Sequence, residues 1–148
     1  MIPQISQAPG VVQLVLTFLQ VLEQQGFTGD TATSYADRLT MATDNSVYQL
    51  LPDAILFPRS TADVVLLARL AAEDRFKSLV FTPRGGGTGT NGQSLNAGII
   101  VDMSRHMNRI LEINPEEGWV RVEAGVIKDQ LNQYLKPYGY FFAPELST

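Results

Sequence analysis

The 148-residue chain has a net charge of −4 and is 45% hydrophobic, which suits about one domain with a real core and excludes wholesale disorder. The acidic balance (pI near 4.9) argues against nucleic acid as a partner, because such surfaces carry a basic stripe. With no cysteine and one histidine, His106, the chain by itself cannot form a disulfide, a thiolate-ligated iron–sulfur cluster or a multi-histidine metal site.

The N-terminal residues Met1 to Gln7 lack the basic n-region of a signal peptide. The apolar stretch Val11 to Leu22 falls short of the about 20 residues needed to span a bilayer, and Gln13 and Gln20 interrupt it. No transmembrane segment and a cytoplasmic location are therefore expected. Val11, Leu14, Val15, Phe18, Leu19 and Leu22 recur at three- and four-residue spacing, which predicts an amphipathic helix stopped near Gly26. Thr31 to Ala42 is read as a shorter helix carrying Tyr35, Leu39 and Met41, and Asp44 to Pro52 as loop.

Ala54 to Phe57 is an apolar run before Pro58, as in a buried strand. Ser60, with Asp63 three residues on, resembles a capping box, and Val64, Val65, Leu67, Ala68 and Ala71 continue a helix to about Asp74. Leu79 to Phe81 is the next strand. Strand, helix and strand within about 30 residues make a βαβ unit with parallel strands. Gly98 to Asp102 forms a further strand. Ile110 to Ile113 and Trp119 to Glu123, joined by Asn-Pro-Glu-Glu-Gly, predict a β-hairpin. Ile127 to Leu135 is a helix stopped by Pro137, and Tyr140 to Ala143 is a last apolar stretch. Pro144 to Thr148 reads as the start of a loop, so the chain is expected to be a piece of a longer protein.

Between the strands at Phe81 and Gly98 lies Thr-Pro-Arg-Gly-Gly-Gly-Thr-Gly-Thr-Asn-Gly-Gln-Ser, residues 82–94. Consecutive glycines free the backbone for unusual φ values and leave N–H groups uncovered. Such a loop can form a concave nest that holds a phosphate or pyrophosphate, with Arg84 at its entrance adding charge. The Walker P-loop is excluded because no lysine is present. Gly87-x-Gly89-x-x-Gly92 matches the dinucleotide fingerprint, but that motif needs a helix starting at the loop, and Gln93 to Gly98 leaves no room for one. A solvent-exposed connection between strands is the bland alternative.

The ordered context resembles the FAD-binding domain of the vanillyl-alcohol oxidase and p-cresol methylhydroxylase superfamily. Three segments carry the resemblance: Pro52 to Val64, Pro83 to Gly89 with Gly92 to Ser94, and Gly98 to Val126, which includes Val101-Asp102-Met103-Ser104-Arg105-His106-Met107-Asn108-Arg109-Ile110 and Val122-Glu123-Ala124-Gly125-Val126. Within the superfamily the chain is most similar to long bacterial FAD-linked dehydrogenases of D-2-hydroxy acids, the D-2-hydroxyglutarate type among them. The resemblance implies an α+β fold: a first βαβ subdomain plus the start of a second, mainly antiparallel one. Residues 1–50 would be an N-terminal helical segment and residues 51–148 a partial FAD-binding domain.

By the same resemblance, the N–H groups of Gly85, Gly86, Gly87, Thr88 and Gly89 surround a non-covalent FAD diphosphate. Arg84 flanks it, and Gly92, Gln93 and Ser94 lie at its far end. Pro58 matches a position near the adenine, and Pro144 and Ser147 match the beginning of a second flavin-contacting segment. Some members attach FAD through a histidine where this chain has Thr88, which argues against a covalent link. No catalytic residue is assigned. The implied partners are the remainder of the polypeptide, where an iron–sulfur cluster would lie, and a small 2-hydroxy acid; this piece alone is expected to be inactive and to bind FAD weakly. Asp102, Arg105 and Arg109 are expected to be solvated or locally paired, with cofactor contact the alternative, His106 to be a structural or surface histidine, and Trp119 and the Tyr138 to Phe142 aromatics to be core or a covered face. A noncatalytic module for another phosphate ligand, and an interaction domain with a disused loop, remain alternatives.

Overall fold

The computed structural model describes residues 10–144. A four-stranded sheet in the order β1-β2-β4-β3 forms its centre, from β1 (Asp30–Ala32), β2 (Ala54–Phe57), β3 (Phe81–Arg84) and β4 (Ile99–Asp102). β2, β4 and β3 run parallel, and β1 closes one edge antiparallel to β2. The βαβ expectation is met in direction, with β4 lying between β2 and β3. β2 and β4 are buried at every position, which is why each reads as a continuous apolar run. β3 holds the other edge, where Pro83 costs no ladder hydrogen bond.

Helix α1 (Gln13–Gln24) lays Val15, Phe18, Leu19 and Leu22 on one face of the sheet, beside Leu67 and Leu70 of α3 (Thr61–Ala71) and Phe76. Ala54, Leu56, Ile99 and Val101 point into this core; Ile55, Phe57 and Ile100 point to the opposite face, against Ala32 and Met41. Phe18 meets Phe76 edge-on at 5.2 Å between ring centroids and Phe81 at 5.2 Å.

The region read as one helix from Thr31 to Ala42 divides instead. Thr31 and Ala32 join β1, opposite Leu56 and Ile55, and only α2 (Tyr35–Thr40) is helical. Ser34 starts α2 by accepting the Asp37 N–H at 3.2 Å. The strand read at Leu79 to Phe81 lies two residues later, because Leu79 N–H closes a turn onto the Phe76 carbonyl at 2.9 Å. α3 ends at Ala71, and a short 3-10 turn at Asp74–Phe76 follows. Tyr140 to Phe142 form no strand; the Tyr140 hydroxyl donates to the Pro115 carbonyl and the Phe142 N–H to Asn132 Oδ1.

The hairpin of β5 (Ile110–Asn114) and β6 (Trp119–Val122) stands as a separate two-stranded sheet, followed by α4 (Lys128–Leu135). Its register shifts between Ile110 and Glu112. Glu123 anchors it by accepting from the Arg109 N–H at 2.8 Å and from the Arg109 guanidinium at 2.8 Å.

Asp63 ties the segment after α1 to the start of α3. Ser60 Oγ accepts the Asp63 N–H at 3.2 Å, capping α3. The Asp63 carboxylate reaches elsewhere: to the Arg59 N–H at 2.9 Å, and to the N–H and hydroxyl of Thr28, 35 residues upstream. Burial opposes its ionisation, yet the N–H groups of Thr28 and Arg59 and the hydroxyls of Thr28 and Ser60 outweigh that and hold the pKa below the ordinary value. The stability this confers is complete above the unfolded aspartate pKa and is lost as pH falls through the lower folded value. Asp63→Ala is expected to cost about 2 kcal/mol at neutral pH. The wild-type advantage should shrink below about pH 4; equal urea midpoints for the two proteins at pH 7 would refute this.

Candidate FAD pyrophosphate site

The glycine-rich loop leaves the carboxyl end of β3 and returns to β4 without a helix, in agreement with the sequence reading. Among the described residues, none of the N–H groups of Gly85, Gly86, Gly87, Thr88 and Gly89 donates a hydrogen bond within the protein. Backbone donors in folded proteins are nearly always paired, so five consecutive ones without a protein partner need water or a ligand. A Cβ built at Gly85 meets nothing within 4 Å, and one at Gly86 only the Thr88 methyl at 3.5 Å. The space in front of these two residues is one a side chain would fill.

Positive φ is confined within the loop to Gly87 at 66° and Gly92 at 73°. At Gly87 the reversal folds the chain over Arg84, so that a Cβ there would strike the guanidinium. Arg84 consequently does not stand at the entrance. It is buried beneath the loop, with Nη2 donating to the Thr43 carbonyl at 2.9 Å and Nη1 to that of Met41 at 3.4 Å. Its hydrogen bonds tie the loop to the segment after α2.

That segment went unrecognised as part of the site. Asp44 Oδ1 accepts the Ser46 N–H at 2.8 Å, and Asp44 Oδ2 accepts the Ser94 hydroxyl at 3.0 Å. Hydrogen bonds from Ser46, then the Ser94 hydroxyl and the Arg84 charge, hold the Asp44 carboxyl below its ordinary pKa despite some desolvation. Asn45 Nδ2 reaches the Thr88 carbonyl at 3.5 Å, and the Tyr48 ring lies 3.0 Å from a Cβ built at Gly92. The only sequence signal was the cluster of turn formers Asp44-Asn45-Ser46, which marks a turn without saying what it touches. Gln93 folds over Gly89 and accepts the Asn91 N–H at 3.0 Å.

Pro58 is fully buried at the end of β2, and Pro144 is exposed; Ser147 lies outside the described residues. The strand-end charges pair locally. Asp102 caps the next turn by accepting the N–H and hydroxyl of Ser104 and the Arg105 N–H. The Arg105 guanidinium covers the Phe57 ring at 3.6 Å. His106 Nε2 donates to Asp30 Oδ2 at 2.6 Å, and Arg59 reaches Asp30 Oδ1 at 2.8 Å. Chiefly through the His106 hydrogen bond, with Arg59 adding, the Asp30 carboxyl is held below its ordinary pKa. Among the described residues no helix is long and apolar enough to cross a membrane, and no group of three or more carboxylates or histidines is placed to hold a metal ion.

The family described as "FAD binding domain" matches residues 52–148. D-2-hydroxyglutarate dehydrogenase of Escherichia coli K12 is 88% identical over all 148 residues, and that of Pantoea ananatis 82%. The chain spans 14% of the length of each of these relatives. Among solved structures, an alkyldihydroxyacetonephosphate synthase superposes with a TM-score of 0.74 at 22% identity, covering 93% of this chain and 30% of that one, and so supports the fold. With a family match across about two-thirds of its length, a shared fold and a helix-free glycine loop at the end of β3, the chain belongs to the FAD-binding domain family.

Proposed function

We propose that this chain supplies the pyrophosphate wall of an FAD-linked oxidoreductase that converts a D-2-hydroxy acid, such as D-2-hydroxyglutarate or D-lactate, to the 2-oxo acid. The observation that carries the reading is the row of five unpaired N–H groups from Gly85 to Gly89 over a buried arginine, with open space beside Gly85 and Gly86. A diphosphate fits that donor set: N–H dipoles meet its oxygens, and Arg84 offsets its charge from beneath. The Thr88 hydroxyl adds a donor, and Gly92, Gln93 and Ser94 close the far end. Pro58 is assigned to the adenine side, and Pro144 and Ser147 to the start of a second flavin-contacting segment. With threonine at position 88 the flavin is held non-covalently.

FAD, when bound, supplies the hydride acceptor for oxidation of the alcohol carbon. This chain's own residues bind and orient it; the catalytic base and an iron–sulfur cluster are assigned to the remainder of the polypeptide. Residues 51–148 are taken as the partial FAD-binding domain, and residues 1–50 as the N-terminal segment, which is not purely helical because it adds β1 to the same sheet. A cytoplasmic setting suits a chain without cysteine. The substrate assignment is supported by the relatives at 88% and 82% identity, both D-2-hydroxyglutarate dehydrogenases.

The test uses the full-length protein. It is expected to purify with flavin absorbance, release unmodified FAD on acid precipitation, and reduce an artificial acceptor with D- but not L-2-hydroxyglutarate. A folded full-length protein that never takes up FAD would sink the reading.

A further inference from the structure

We infer that Asp44 is a positioning residue for the FAD loop: with the turn it organises, it fixes the Gly85 to Ser94 segment in the form that gathers its N–H groups. The inference rests on the FAD reading above and asks what orders the loop. A glycine-rich segment loses more backbone entropy on ordering than any other, so its geometry must be imposed by neighbours. A following helix cannot do it, since none is present between β3 and β4.

The neighbours outside the loop cluster in one segment, Met41 to Leu50. Thr43 bridges Gln49, and the Leu50 N–H donates to the Ala42 carbonyl at 3.0 Å, closing residues 42–50 into a compact turn. From it and from Met41 just before it the loop is held at three places: at its start through Arg84 and the carbonyls of Met41 and Thr43, in its middle through Asn45 and Thr88, and at its end through Asp44 and Ser94. Asp44 is the hinge pin of this arrangement. One carboxylate oxygen shapes its own turn through Ser46, and the other holds Ser94, 50 residues away. Ser94 is buried, and its hydroxyl proton is committed to Asp44. Its influence on FAD therefore runs through the shape of the loop.

An anion beside a diphosphate site is electrostatically unfavourable, and this separates two roles. If Asp44 were only a nearby charge, Asp44→Asn would tighten FAD binding. As a brace, its loss weakens binding. In the full-length protein, Asp44→Ala is expected to weaken FAD binding by about tenfold or more, in line with losing hydrogen bonds to an ionised group. Asp44→Asn, which keeps one acceptor for Ser46, should fall between it and wild type. Ser94→Ala should weaken binding, and adding it to Asp44→Ala should have little further effect, because the two share one bond. Hydrogen exchange in the flavin-free protein should quicken in both Asp44 variants at Leu95, whose N–H donates to the Gly92 carbonyl at the end of the loop, and at Leu50, whose N–H closes the turn onto Ala42. Ser34→Ala, which removes the cap of α2 without touching the loop, should leave FAD affinity unchanged.

Affinity in Asp44→Ala equal to or tighter than wild type, or an effect no larger than that of Ser34→Ala, would overturn the brace while leaving the FAD reading intact. Should Asp44→Ala fail to fold, Asp44→Asn decides by the same comparison. A wild-type protein that binds no FAD fails earlier, at the parent reading, and takes the brace with it.

Discussion

Gly86→Val in the full-length protein is expected to abolish retention of FAD while leaving the fold and its melting temperature close to wild type. The separation follows from geometry. Gly86 does not use positive φ, so valine meets no backbone prohibition there. A Cβ at this position touches only the Thr88 methyl at 3.5 Å, so the protein itself has room for a side chain. That room is the space in which the phosphate oxygens would sit, close enough for direct N–H donation. Branched carbons there displace the ligand and cover the amides on either side. Gly87→Ala should behave differently. Its φ of 66° costs a non-glycine residue about 1–2 kcal/mol, and its Cβ would collide with the Arg84 guanidinium. This variant should lose both flavin and stability, because dislodging Arg84 cuts the loop from the Met41 and Thr43 carbonyls. The measurements are FAD per polypeptide after gel filtration and the thermal midpoint of the flavin-free protein. Full flavin content in Gly86→Val would count against a backbone nest at this loop.

The contrast between these glycines shows how far the sequence carries. The glycine run was legible as an anion loop because glycine density and the strands on either side are local facts. Which glycine does what was not, since positive φ and close approach depend on where Arg84 packs. Arg84 read as an entrance cation because it precedes the glycines, yet the turn at Gly87 places the loop over it. The brace at Asp44 was invisible for a related reason: its partner is 50 residues away and no periodicity links two loops. The fold behaves likewise. β2 and β4 were readable because burial on both faces leaves an unbroken apolar run, and α1 because its inward face recurs with helical spacing. β1 has three residues, Asp-Thr-Ala, too few to show a period; it becomes a strand by pairing with β2. β3 slid by two residues because its limits are set by the pairing of Phe81 to Arg84 with β4, a non-local constraint.

The largest effect on stability is expected at Phe18. Its side chain is completely buried, and it joins three elements at once: α1, which carries it, the 3-10 turn through Phe76, and the start of β3 through Phe81. Phe18→Ala removes a ring that both neighbouring aromatics pack against, and close-packed surroundings relax only partly into the hole. A cost of about 3–5 kcal/mol is expected. Native-state hydrogen exchange at β2 and β4 amides of the full-length protein should report it, since those strands open only when this core opens. Ile55→Val, on the smaller opposite face of the sheet, should cost about 1 kcal/mol. Val65→Ala, on the half-exposed side of α3, should stay within about 0.5 kcal/mol. The same hole lies under the strand that launches the glycine loop: Phe81 opens β3, and Arg84 ends it. Flavin affinity should therefore fall in Phe18→Ala, although Phe18 is core and belongs to a different element from the loop. If exchange in β2 and β4 is no faster than in Val65→Ala, then α1 does not contribute to this core as its packing implies. If exchange quickens while flavin affinity holds, β3 keeps its geometry without Phe18, and the loop draws its order from the Asp44 turn alone.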